Sequence, residues 1–126
     1  AVSDFTFDKP VPGKIDSANK LLMLKFVPTK KIVDEVKKWS RKIILVAFKA
    51  EHGVAQDTLL ENALRKLKEC NADFIVANDL AARNCGFGSD SSEVFIIDKH
   101  NHVIHLPIQL KSKIAEKLVE IVTRKI

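Results

Sequence analysis

The sequence predicts an α/β fold: a doubly wound, Rossmann-like mixed sheet with helices on both faces and a C-terminal β-hairpin. Three observations predict it. Two short apolar runs, KIILVAF at 42–48 and DFIVA at 73–77, read as strands covered on both faces. Between them Leu60, Ala63, Leu64 and Leu67 recur at helical spacing. After the second run come two strand-like segments joined by a turn, then an amphipathic helix.

Each element follows from local chemistry. Residues 1–4 read as the end of a strand, and residues 5–19, with Pro10, Pro12 and Gly13, as a flap loop. Residues 20–27 (KLLMLKFV) read as a strand that Pro28 stops. Thr29 is placed to cap a helix over 30–39, with Ile32, Val33 and Val36 on one face. After the 42–48 strand, His52 and Gly53 break the pattern, and Thr58-x-x-Glu61 reads as a capping box for the next helix. The 73–77 strand stops at Asn78-Asp79, and 80–92 form a polar loop rich in Gly and Ser. Residues 93–98 and 103–106 are the arms of the hairpin, with a turn at 99–102. Residues 111–126 form a helix with Ile114, Leu118, Ile121 and Val122 inward. There is no internal repeat and no low-complexity tract.

Composition bounds the function. The 126 residues fit one domain, and 46% hydrophobic with 29% charged residues is ordinary globular usage. No apolar run approaches the roughly 20 residues that span a bilayer. The first residues are not an apolar leader, so a cytoplasmic location is expected. The net charge of +5 suits an anionic partner such as a nucleotide or a phosphorylated metabolite. Nucleic acid is not expected, because Phe is scattered, Trp occurs once and Tyr is absent, which leaves no stacking platform. No membrane partner is expected either. Cys70 and Cys85 form no C-x-x-C pair, have no His at zinc-ligand spacing, and read as unpaired thiols.

No metal site is expected from His52, His100, His102 and His105, and none of the four is given a catalytic role. Ser89, Ser91 and Ser92 lack the G-x-S-x-G setting of a nucleophile, and neither a phosphate loop nor a dinucleotide fingerprint is present.

In open α/β sheets, ligands bind beyond the carboxyl ends of the strands. That rule selects Asp4, residues 48–52, Asn78-Asp79 and the loop 83–92. A carboxylate at Asp4 can accept ribose hydroxyls or hold a metal-bound phosphate, or can cap a turn. Lys14, in the stretch Pro-Gly-Lys-Ile, can close over a phosphate, or can be a solvated surface lysine. Phe48 can stack on a base or pack in the core. Lys66, on a helix, reads by itself as a solvated lysine.

Taken together, Phe48-Lys-Ala-Glu51, Ile75-Val-Ala-Asn-Asp79, Gly86-Phe-Gly-Ser-Asp90 and Glu93-Val-Phe-Ile-Ile-Asp98 occur in this order. With Ala1-Val-Ser-Asp-Phe5 and Gly13-Lys-Ile15, the sequence resembles the synthetase part of the bifunctional phosphopantothenoylcysteine decarboxylase/phosphopantothenate–cysteine ligase family. The wording is closest to archaeal-type members, and the resemblance runs along essentially the whole chain.

The resemblance implies a ligase of coenzyme A biosynthesis. A nucleotide, CTP or ATP, activates the carboxylate of 4′-phosphopantothenate as an acyl-nucleotide, and the cysteine amine displaces the nucleoside monophosphate. Magnesium shields the triphosphate. The resemblance assigns nucleotide contacts to Asp4, Lys14, Phe48 and Lys66, with Lys14 steadying the acyl-nucleotide; these four are expected to meet in one cleft on the sheet's upper rim. Asn78 and Asp79 are weaker candidates. So are Lys30 and Lys31, where the family's Pro-Asn-Pro-Asp-Ile segment reads Pro28-Thr-Lys-Lys-Ile32. A second family lysine falls on Cys70.

The family's Gly-rich nucleotide loop lies upstream of the region matched. The chain is therefore expected to be the C-terminal part of the ligase domain, incomplete relative to the family fold and inactive by itself. FMN is expected only if a decarboxylase domain is fused upstream. The hairpin at 93–106 is expected to make a homodimer. The alternative is a non-catalytic nucleotide-binding or dimerisation module.

Overall fold

The computed structural model describes residues 3–9, 12–15, 21–81 and 88–124. The chain divides into two compact units, Ala1–Ile32 and Val33–Ile126.

The first unit is a two-stranded antiparallel ribbon of β1 (Phe5–Phe7) and β2 (Phe26–Pro28), with Phe5 opposite Pro28 and Phe7 opposite Phe26. The Phe7 and Phe26 rings lie 4.8 Å apart. The 5–19 flap is thus not loop throughout, because its first residues pair with β2. Of the strand expected at 20–27, whose Lys20 lies outside the described residues, only Phe26 and Val27 are strand, and β2 ends at Pro28, which still pairs with Phe5. A two-stranded ribbon exposes one side of every strand, where a missing proline N–H costs no ladder bond. Thr29 donates its hydroxyl to the Ser3 carbonyl and its N–H to the Asp4 carbonyl at 2.9 Å, so it fastens the ribbon instead of capping a helix.

The helix expected at 30–39 is a 3₁₀ turn, Ile32–Asp34, followed by the single-turn α1 (Val36–Trp39). Beyond them the second unit is a four-stranded sheet in the order β3 (Val46–Glu51), β4 (Phe74–Asp79), β5 (Ser91–Asp98) and β6 (Val103–Leu110). β3 and β4 are parallel, and the other neighbours are antiparallel, so the sheet is mixed.

Helix α2 (Gln56–Glu69) covers one face and α3 (Lys111–Thr123) the other. The alternation along β4 allots the two cores. Ile75 and Ala77 pack with Leu59, Ala63 and Leu67 of α2, while Phe74 and Val76 pack with Ile114 of α3.

Helix α2 begins two residues before Thr58, so Thr58 and Glu61 are inside it. Its N-cap is Ala55, with no side-chain cap. Its other end follows the Schellman pattern: Asn71, at φ 52°, donates to the Lys68 carbonyl, and the Ala72 N–H to the Leu67 carbonyl. β4 runs on through Asn78 and Asp79, two residues past the 73–77 expected. The hairpin arms run to Ser91 and Leu110, longer than the 93–106 expected. Its turn is tied by Asp98, whose Oδ1 accepts the N–H groups of His100 and His102 at 2.8 and 3.0 Å.

Among the described residues, no helix is long and apolar enough to cross a membrane. Cys85 and the loop residues 82–87 lie outside the described residues, while Cys70 is buried and unpaired.

Ile75 has 0% exposure between the central strands and α2. Ile75→Ala is expected to lower unfolding stability by about 2–5 kcal/mol with an unchanged denaturant slope, measured by urea titration.

Candidate functional site

Strands β3 and β4 end side by side, with Ala50 opposite Asn78 and Glu51 opposite Asp79. The chain leaves β3 through Gly53, at φ +69°, where a side chain would strain the backbone. The turn is held from β4: Asp79 Oδ1 accepts the Gly53 N–H at 2.7 Å and the Ala81 N–H at 2.9 Å. These hydrogen bonds, that from Ala81 first, hold the Asp79 carboxyl below the usual carboxylate range. Asp79 also lines a cavity of about 150 Å³ with Val54, Gln56, Leu59, Glu93 and Phe95, on the α2 side.

On the α3 side lies a groove of about 310 Å³, floored by Val76, Val94, Ile114 and Leu118 and edged by Asn78, Ser92 and Lys111. Phe48 forms one wall and is 69% exposed, which is high for an aromatic ring on a sheet. Of the two sequence readings of Phe48, exposure disfavours core packing. Ser92 and Lys111 were not legible as groove residues, since β5 and α3 reach Phe48 only through the tertiary fold.

Lys66 is elsewhere. It projects from the last turns of α2, on the opposite face from Phe48, and its ammonium lies 2.7 Å from Asp34 Oδ1. Phe48 and Lys66 therefore share no cleft within this unit, contrary to the single rim expected. The reason is topological: a helix that follows a parallel strand runs back toward the strand's amino end, so its C-terminal residues leave the carboxyl rim.

Asp4 and Lys14 belong to the first unit and are exposed, Asp4 immediately before β1 and Lys14 after Gly13, which has φ +85°. Asp4 thus precedes a strand, while residues 1 and 2 of the strand end expected at 1–4 lie outside the described residues. Lys30 and Lys31 are exposed just before the 3₁₀ turn. Among the described residues, no group of three or more His, Cys, Asp or Glu is arranged to hold a metal ion.

At the opposite end of the sheet, Asp73 precedes β4. Its Oδ2 accepts the Leu45 N–H at 2.9 Å and pairs with Lys37, and Lys99 stands 3.6 Å from Oδ1. Burial pushes this carboxyl up, but the Lys37 and Leu45 hydrogen bonds and the charges of Lys37 and Lys99 outweigh it and hold the group below its ordinary value.

A carboxyl depressed on folding stabilises the protein above its unfolded pKa, near 3.9, and that contribution is lost as pH falls through the lower folded value. Asp73→Asn is expected to lower the melting temperature at neutral pH and to flatten its fall below about pH 4. Parallel acid limbs for the two proteins would refute this.

The family model described as the DNA/pantothenate metabolism flavoprotein C-terminal domain matches residues 1–126. The chain is 36% identical over 118 residues to the coenzyme A biosynthesis bifunctional protein CoaBC of Thermococcus kodakarensis, spanning 94% of this chain but 28% of that protein. Among solved structures, the DNA/pantothenate metabolism flavoprotein of Streptococcus pneumoniae superposes with a TM-score of 0.74 at 31% identity, covering 90% of this chain and 46% of that one. The C-terminal domain of a coenzyme A biosynthesis bifunctional protein CoaBC superposes with a TM-score of 0.64 at 30% identity, covering 80% and 46%.

Proposed function

The chain belongs to the DNA/pantothenate metabolism flavoprotein C-terminal domain family, and from that premise we propose that it is the C-terminal part of a phosphopantothenate–cysteine ligase. The observation that carries this reading is the alignment along 94% of the chain with a protein named for coenzyme A biosynthesis.

The reaction joins two reactants that do not combine unaided, a carboxylate and an amine. An oxygen of the 4′-phosphopantothenate carboxylate attacks the α-phosphorus of a nucleoside triphosphate, CTP or ATP, and pyrophosphate leaves. The cysteine nitrogen then attacks the acyl carbon, the amide forms, the nucleoside monophosphate leaves, and the amine proton passes to solvent. Two anions must be held together while charge builds between them, so the protein's task is positioning and charge compensation.

In this reading Lys14 closes over the phosphates. Its exposure beside Gly13, whose positive φ lets the chain turn, supports that role. Asp4 receives the ribose hydroxyls. Phe48 offers its open ring to the base, with Asn78 at the same groove and Asp79 fixing the turn after β3. The family resemblance assigns Lys66 to the nucleotide phosphates, although it stands on the α2 side beside Asp34, and Lys30 and Lys31 add positive charge before the 3₁₀ turn. Magnesium enters with the triphosphate. FMN belongs to a decarboxylase domain and would accompany this chain only in a longer, bifunctional protein of cytoplasmic location.

With magnesium and CTP or ATP present, Lys14→Ala in the full-length protein is expected to lower ligation by about 100-fold, followed by release of pyrophosphate. An unchanged rate would remove Lys14 from the mechanism.

The same reading includes a homodimer formed through the hairpin. β6 is an edge of its sheet and leaves Val103, Ile104, Ile108 and Leu110 about half exposed, an apolar edge that a second copy could pair with across a two-fold axis. Ile104→Lys is expected to shift the protein from dimer to monomer in sedimentation or light scattering. A wild-type protein that is monomeric at high concentration would dismiss this interface.

A further inference from the structure

Lys66, the cation assigned to the phosphates, is already engaged. Its side chain is 18% exposed, with Asp34 Oδ1 at 2.7 Å and Glu69 Oε2 at 4.0 Å. Asp34 and Glu69 face a cavity of about 390 Å³ whose other charged walls are Lys37, Lys38 and Arg41. Two of those cations are committed elsewhere, Lys37 to Asp73 and Lys38 to Glu35 at 2.7 Å. One turn on from Lys66 stands Cys70, 2% exposed, whose thiol donates to the Lys66 carbonyl at 3.0 Å and brings no positive charge.

We infer that Asp34 is an internal competitor for the anion at Lys66, a specificity-determining residue that sets how tightly the chain holds a nucleotide phosphate. This rests on the reading that Lys66 meets the nucleotide. A carboxylate and a phosphate are the same kind of acceptor for an ammonium. Asp34 belongs to the same fold as Lys66 and is always present, whereas a nucleotide must come from solution. The nucleotide either takes the ammonium from Asp34 or shares it beside a like charge. The neutral thiol at position 70 adds no positive charge to offset that repulsion. The exchange remains feasible because the Asp34 side chain is 35% exposed and water can replace the ammonium when it leaves. The inference runs against the ordinary expectation for a residue beside a binding group: removing Asp34 strengthens binding.

The test is calorimetric titration of CTP with magnesium into the full-length protein at low and high salt. Asp34→Asn is expected to tighten binding by about threefold to tenfold at low salt, a gain that shrinks as salt screens the charges. Asp34→Glu should stay near the wild type. In a Lys66→Ala background, the Asp34→Asn gain should vanish, since the coupling runs through that ammonium. Should Asp34→Asn fail to fold, Asp34→Ser carries the same expectation. A role in structure alone would leave affinity unchanged or weaken it, and either result overturns the inference while the nucleotide reading stands. If no form of the protein, Asp34→Asn included, binds CTP or ATP with magnesium, the nucleotide reading falls and this inference falls with it.

Discussion

The second unit depends on one strand. β4 lies between β3 and β5 and presents Phe74 and Val76 to one helix, Ile75 and Ala77 to the other. All four side chains are buried, so β4 has no solvent face, and its backbone donors and acceptors are taken by a parallel neighbour on one side and an antiparallel one on the other. Two layers of helix are therefore required. Without α2 or α3, one half of an uninterrupted apolar strand would be left in water, at a cost proportional to its area.

That constraint also sorts the polar residues by place. The residues that bracket β4 are its anchors: Asp73 before it, tied to Leu45 and Lys37, and Asp79 at its end, tied to Gly53 and Ala81. Both carboxylates are satisfied by the chain itself and both are held in the charged form. They fix the two ends of β3 relative to β4 and so fix where Phe48 stands. The chemistry-bearing side chains proposed here are different in kind. Phe48 is uncovered, and Lys14 lies on an exposed turn. Lys66 is held by a carboxylate rather than by the core. Anchors are saturated, while the proposed ligand groups are exposed or exchangeable, as binding requires.

The elements read most faithfully from the sequence were those whose pattern and burial agree. The 73–77 run, the helical stripe of Leu60, Ala63, Leu64 and Leu67, and the helix from Lys111 are each long enough, or apolar enough, for local signals to decide. Short elements were misread where a non-local bond outweighed a local one. Thr29 has the chemistry of a helix cap, yet it bonds Ser3 and Asp4, 26 and 25 residues earlier in the chain. Thr58 and Glu61 have capping-box spacing, yet α2 begins before them, with Ala55 at its N-cap and Leu59 buried against the sheet.

The sequence by itself determined the class of fold, the alternation that buries β4 and the ordered motifs that place the chain in its family. These are written in composition, periodicity and residue order, which survive without coordinates. Only the tertiary structure decided which groups stand together. That Lys66 faces Asp34 across 32 positions, and that Phe48 shares its groove with Ser92 and Lys111, depends on helix direction and strand order. Spacing along a chain fixes which side of its own helix or strand a residue occupies; which partner that side meets is set when the elements pack.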